Sequence, residues 1–135
     1  MKNRVMPEVV QKLELTEVFV FGSNMQGQHI GGAALCAYNH FDAEWGVWEG
    51  MTGKCYAIPT VDFESVERMK LQEIEECVDR FIEVAKVEED LTFLVTPIGC
   101  GIAGFLVEEI APMFERALSL PNVILPQEFL NNLKK

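Results

Sequence analysis

A chain of 135 residues has room for one domain with one core and not for two. Apolar residues make up 49% of it, which speaks against a disordered chain. Eleven lysines and arginines against 21 acidic residues leave a formal charge of −10, and no basic stripe offsets it, so nucleic acid is not an expected partner. The cysteines, Cys36, Cys55, Cys77 and Cys100, form no C-x-x-C pair and have no His cluster beside them. Neither a metal site nor another cofactor is expected, and reduced thiols in a cytoplasmic protein are the default reading. Residues 1–7 lack the apolar stretch of a signal peptide, and no run is long enough for a membrane span, so no membrane partner is expected either.

In chain order, Val18-Phe19-Val20-Phe21 is a short continuous apolar run ending at Gly22, the pattern of a strand buried on both faces. Residues 31–38, with Ala33, Ala34, Leu35 and Ala37, favour a closely packed helix. Residues 45–53 carry three glycines and read as turn and hairpin, followed by a strand over 55–59. The charged segment 61–70 reads as a surface connection. Leu71, Ile74, Val78, Phe81, Ile82 and Ala85 recur at helical spacing between acidic residues, giving the clearest amphipathic helix of the chain. A third buried strand is expected over 91–96, then a glycine loop, a helix over 105–118, a strand over 122–125 and a terminal helix over 127–135. The alternation predicts one three-layered α/β domain with a mixed sheet and helices on both faces.

Two glycine segments each follow a buried strand. The first runs from Gly22 through Gly27 to Gly31 and Gly32; the second is Ile98-Gly99-Cys100-Gly101-Ile102-Ala103-Gly104. Glycine lets the chain adopt positive φ and removes the Cβ that would hold a ligand away. Successive N–H groups in such turns can converge on an anion, and in open α/β sheets ligands sit at the carboxyl ends of strands. Two such loops on neighbouring strands would wall one cleft for a nucleotide phosphate. Neither contains the Gly-Lys-Ser/Thr of a P-loop, and neither is a G-x-G-x-x-G dinucleotide turn. The helix after Gly32 opens without an acidic residue, leaving its positive end free for an anion, whereas the helix after Gly104 carries Glu108 and Glu109 early.

Three blocks in order resemble the macrodomain superfamily of ADP-ribose binders and hydrolases. Phe21-Gly22-Ser23-Asn24 with Gly27 and Gly31-Gly32-Ala33 looks like the segment at which those domains receive the distal ribose. Gly50-Met51-Thr52-Gly53 with Cys55-Tyr56-Ala57-Ile58-Pro59 looks like their middle turn and strand. Pro97 through Phe105 looks like their second phosphate loop and its aromatic neighbour. The Ile-Gly-Cys-Gly segment is most similar to the branch containing the terminal ADP-ribose glycohydrolase, and the chain also resembles uncharacterised bacterial and phage macrodomain-like proteins. That branch places an acidic residue where Ala103 stands here, and Lys54 is only near, not at, a catalytic lysine position.

The resemblance implies that Gly31, Gly32 and the amides of Gly99, Cys100, Gly101, Ile102 and Gly104 grip a diphosphate. Asn24 either bonds a ribose hydroxyl or closes its own turn. Phe105 either stacks on a base or ribose or belongs to the core. His29 is either a general acid or base or a solvated loop residue. Asp62 either contacts adenine or activates a water, or is a surface turn residue. Cys100 has no evident His partner to make it a nucleophile. Trp45 and Trp48 mark either an interaction surface or cover for a sheet edge. The leading expectation is a module that binds ADP-ribose or a related nucleotide-sugar phosphate. The alternatives are an ADP-ribosyl hydrolase, in which water attacks the anomeric carbon, and an acidic protein-interaction module without a nucleotide ligand.

Overall fold

The structure is a computed structural model and describes residues 5–6, 12–64, 69–101 and 103–134. It is an α/β protein. The strands are β1 (Val5–Met6), β2 (Glu17–Asn24), β3 (Gly50–Thr52), β4 (Cys55–Val61), β5 (Thr92–Val95) and β6 (Val123–Pro126). The helices are α1 (Gly32–His40), α2 (Leu71–Val87), α3 (Val107–Ile110), a 3-10 helix (Ala111–Ser119) and α4 (Gln127–Leu133). Five strands form the body of a mixed sheet in the order β6-β5-β2-β4-β3, and β1 extends it beyond β6. All neighbours run parallel except the hairpin β3–β4. No helix among the described residues is long and apolar enough to cross a membrane.

The apolar run of β2 is buried throughout because successive side chains leave a strand on opposite faces. Val18 and Val20 join one core with Ile74, Val78 and Phe81 of α2, Phe114 of the 3-10 helix and Phe129 of α4. Phe19 and Phe21 join a second core with Ala34 and Ala37 of α1. Small alanines let α1 lie close to the sheet, while the larger apolar stripe of α2 fills the deeper core. Glu73 Oε1 accepts the Lys70 N–H at 2.9 Å and so closes the start of α2.

Three departures from the expected elements have local causes. The helix expected over 105–118 starts at Val107 and changes to 3-10 geometry at Ala111. Pro112 falls at this change; it has no N–H for the carbonyl of Glu108, which its ring also crowds. The connection over 61–70 is not wholly superficial, because Met69 is buried in the α2 core. Strand β1 was not expected, since two residues paired through their backbones carry no hydrophobic pattern.

The end of α2 is held by Asn122, from the segment just before β6. Its amide nitrogen donates to the carbonyls of Ala85, Glu88 and Leu91 at 3.0, 3.2 and 3.1 Å. Ala85 lies in the last turn of α2, whose carbonyls lack helical donors, and the Glu88 carbonyl also accepts the Leu91 N–H at 3.1 Å. Asn122→Ala should lower unfolding stability by about 1–2 kcal/mol. Urea denaturation followed by circular dichroism checks this, and an unchanged midpoint would show that water replaces the amide without cost.

Candidate functional site

A cavity of about 350 Å3 opens at the carboxyl ends of β2, β4 and β5. One wall is the end of β2 (Gly22, Ser23, Asn24) and the start of α1 (Gly31 to Ala34). The facing wall is the segment after β5, with Thr96 to Gly101 and Ala103. Thr60, Val61 and Phe63 close the β4 side, and Glu128 of α4 closes the side of β6. The two glycine loops therefore do face each other. Among the described residues no Lys, Arg or His side chain lines the cavity, so an anion there would meet backbone N–H groups.

The two loops offer those groups differently. In α1 the first intrahelical bond runs from the Leu35 N–H to the Gly31 carbonyl at 3.3 Å. The first-turn N–H groups of Gly32, Ala33 and Ala34 thus have no helical acceptor, and no acidic side chain occupies that turn. In the second loop, Cys100 N–H donates to Pro97 O at 3.3 Å and Gly104 N–H to Gly101 O at 3.0 Å. Those two amides are spent on the loop itself. Among the described residues, the N–H groups of Gly99, Gly101 and Ala103 have no partner in the chain. Ile102 lies outside the described residues, and Gly104 does not line the cavity.

Gly99 and Gly101 are glycines for different reasons. Gly99 has φ 75°, and a Cβ there would meet Ile110 Cδ1 at 3.2 Å. A side chain at Gly99 would be both strained and crowded. Gly101 is not in the left-handed region, and its Cβ would enter open space. Its role in the cavity is room, not conformational freedom.

Asn24 is buried and folds its own loop. Its Oδ1 accepts Gln26 N–H at 3.2 Å and Gln28 N–H at 2.9 Å, and its Nδ2 donates to Gln28 O at 2.5 Å. Three of its four hydrogen-bonding capacities are used, leaving one N–H to offer a ligand. The hydroxyls of Ser23, Thr60 and Thr96 likewise donate to backbone, to Trp48 O, Ser23 O (3.4 Å) and Val20 O (2.8 Å).

Phe105 does not line the cavity: it is core, packed beneath Gly99. The aromatic residue on the wall is Phe63, 49% exposed. Gln26 sets its position, accepting the Phe63 N–H at 2.9 Å and donating to Asp62 Oδ1 at 2.7 Å. The same Asp62 oxygen accepts the Glu64 N–H at 3.0 Å. Asp62 is thus a latch between the first loop and the turn after β4, and it is not on the cavity wall.

His29 is neither solvated nor in the cavity. It is fully buried, with its ring 5.3 Å from Phe21, 6.2 Å from Tyr38 and 6.1 Å from Trp45. Its Nε2 lies 2.7 Å from the Glu44 carbonyl. A carbonyl only accepts, so Nε2 donates this bond, while Nδ1 has no hydrogen-bond partner among the described residues. The residue pins the first loop to the segment before β3. Trp45 covers it while remaining half-exposed.

Burial, with help from the carboxylates of Glu128 and Glu109, raises the Cys100 thiol to about 11. The sulfur on the cavity wall is therefore a neutral thiol near pH 7 and not a nucleophile. Among the described residues no three His, Cys, Asp or Glu side chains converge into a metal-ligand set. Compared with protein-family models, with curated proteins and with solved structures, the chain matches none.

Two wall residues, Phe63 and Glu128, have no signal in the local sequence. Glu128 lies far along the chain from both loops and arrives only because β6 pairs with β5. For Cys100, alkylation of the native protein at pH 7.5 should run roughly a hundredfold slower than in the denatured chain. Peptide mass spectrometry measures both rates; equal rates would mean that the thiol is neither shielded nor raised.

Proposed function

We propose that this cavity binds ADP-ribose or a related nucleotide-sugar diphosphate, and that the fold is a macrodomain-like three-layer domain. The observation that carries the reading is the juxtaposition of two glycine-rich backbone segments across one cavity that, among the described residues, is lined by no cationic side chain. Unpaired N–H groups of the first turn of α1 and of Gly99, Gly101 and Ala103 suit a diphosphate, because fixed backbone dipoles stabilise an anion without a side-chain charge. The remaining N–H of Asn24 suits a sugar hydroxyl. Phe63 offers an apolar face to a ring. The separate cores around α1 and around α2 and α4 support the layered fold.

Binding is favoured over hydrolysis by the state of every candidate for chemistry. Cys100 is protonated, His29 is buried away from the cavity, Asp62 holds a turn, and Ala103 is neutral.

Gly101→Val is the direct test. The backbone there accepts a side chain, so the unfolding midpoint should stay within a few degrees of the parent. Gly101 lines the cavity, so an isopropyl group there should narrow it and lower ADP-ribose affinity by calorimetry at least tenfold. In the parent, ADP-ribose at about 100 times its Kd should add about 2.7 kcal/mol of stability. A folded variant that binds as well as the parent would remove the second loop from the site.

A further inference from the structure

Among the described residues lining the cavity, Glu128 contributes the single charged side chain, and its sign is wrong for a diphosphate. It is the second residue of α4, which starts directly after β6. The sheet order β6-β5-β2-β4 therefore places it at one end of the cavity, with Phe63 after β4 at the other. Strands lie about 4.8 Å apart, so Glu128 stands roughly 10 Å across the sheet from the end of β2 and the α1 N-terminus. It lines the same cavity as Cys100 of the second loop, and its charge helps raise that thiol. No hydrogen bond or ion pair joins Glu128 to another described residue. An ionised carboxylate only accepts hydrogen bonds. A ligand that fills this end must bring N–H or O–H donors, and a ligand that brings only anionic oxygens is repelled from it.

We infer that Glu128 is the specificity-determining residue of the cavity: its carboxylate accepts hydrogen bonds from an amine or a vicinal diol of the ligand, and so fixes which end of a nucleotide diphosphate lies toward α4. The inference rests on the binding reading above and adds a direction to it. The phosphates take the centre, at the α1 N-terminus and the loop amides, and a donor-bearing group takes the α4 end. Hydrogen bonds to a charged group are the stronger kind, so losing this contact outweighs the relief of a screened repulsion about 10 Å away. The donor has two sources in such a ligand, the exocyclic amine of a purine and the hydroxyl pair of a ribose.

Calorimetry on the parent and on Glu128→Gln and Glu128→Ala, with ADP-ribose, its hypoxanthine analogue and inorganic pyrophosphate, tests the inference. Both substitutions are on an exposed residue, and an unchanged thermal midpoint confirms folding. Both should weaken ADP-ribose at least tenfold and leave pyrophosphate unchanged or tighter. If the amine is the donor, the hypoxanthine analogue binds the parent weakly and is insensitive to the substitutions. If the diol is the donor, the analogue loses affinity as ADP-ribose does. Variants that bind ADP-ribose as tightly as the parent, or more tightly, overturn the assignment of Glu128 while the cavity reading stands. A parent that binds none of the three probes overturns both.

Discussion

The carbonyl of Val20 accepts the Thr96 N–H at 3.1 Å and the Thr96 hydroxyl at 2.8 Å. This doubled contact fixes where the chain leaves β5 relative to the central strand β2. Beyond it, β2 continues through Gly22 to Asn24, while the segment leaving β5 turns at Pro97 into the glycine loop. The missing side chain of Gly22 keeps the gap narrow: a Cβ there would lie 3.5 Å from the Gly99 nitrogen and 3.3 Å from Thr60 Oγ1. The cavity thus begins where three parallel strands end together, and its walls inherit the register of the sheet.

From that constraint the rest of the site follows. Asn24 spends most of its bonds closing the first loop, so that Gly31 and the first turn of α1 come back over the sheet. Buried His29 ties the far side of the same loop to Glu44, and Gln26 ties its tip to Asp62 and Phe63. The polar side chains of this region mostly hold backbone in place. What remains for a ligand is unpaired N–H, one aromatic face and one carboxylate. This arrangement lets a chain of net charge −10 accommodate the anionic ligand proposed for it, because oriented backbone dipoles act at short range while exposed surface charges are screened over about 8 Å at physiological salt.

Much of the fold was legible in the sequence wherever periodicity reports burial. The run at Val18 to Phe21 and the stripe from Leu71 to Ala85 appear as a strand and a helix because each fills a core facing it. Both glycine segments were legible as loops after strands for the same reason. The change of helix type at Pro112 overrode an apolar pattern that continues through it. The site was legible only in part. The loops and Asn24 fall on the wall, but Phe105 was a plausible ring in the wrong layer, since an apolar residue at a helix start carries no mark of which way it faces. Phe63 and Glu128 were invisible because their place depends on strand order, which no local pattern encodes. His29 was misplaced because one histidine in a polar loop gives no sign of the aromatic box formed by Phe21, Tyr38 and Trp45.

If both glycine segments meet one ligand through their amides, the amides of both must respond to it together. The most direct measurement is a proton–nitrogen NMR titration of the protein with ADP-ribose, read at the backbone amides. Saturable shifts with a single Kd are expected at Gly32, Ala33 and Ala34 and at Gly99 and Gly101. Shifts confined to one segment, shifts gathered instead around the exposed rings of Trp45 and Trp48, or none at millimolar ligand would contradict joint binding.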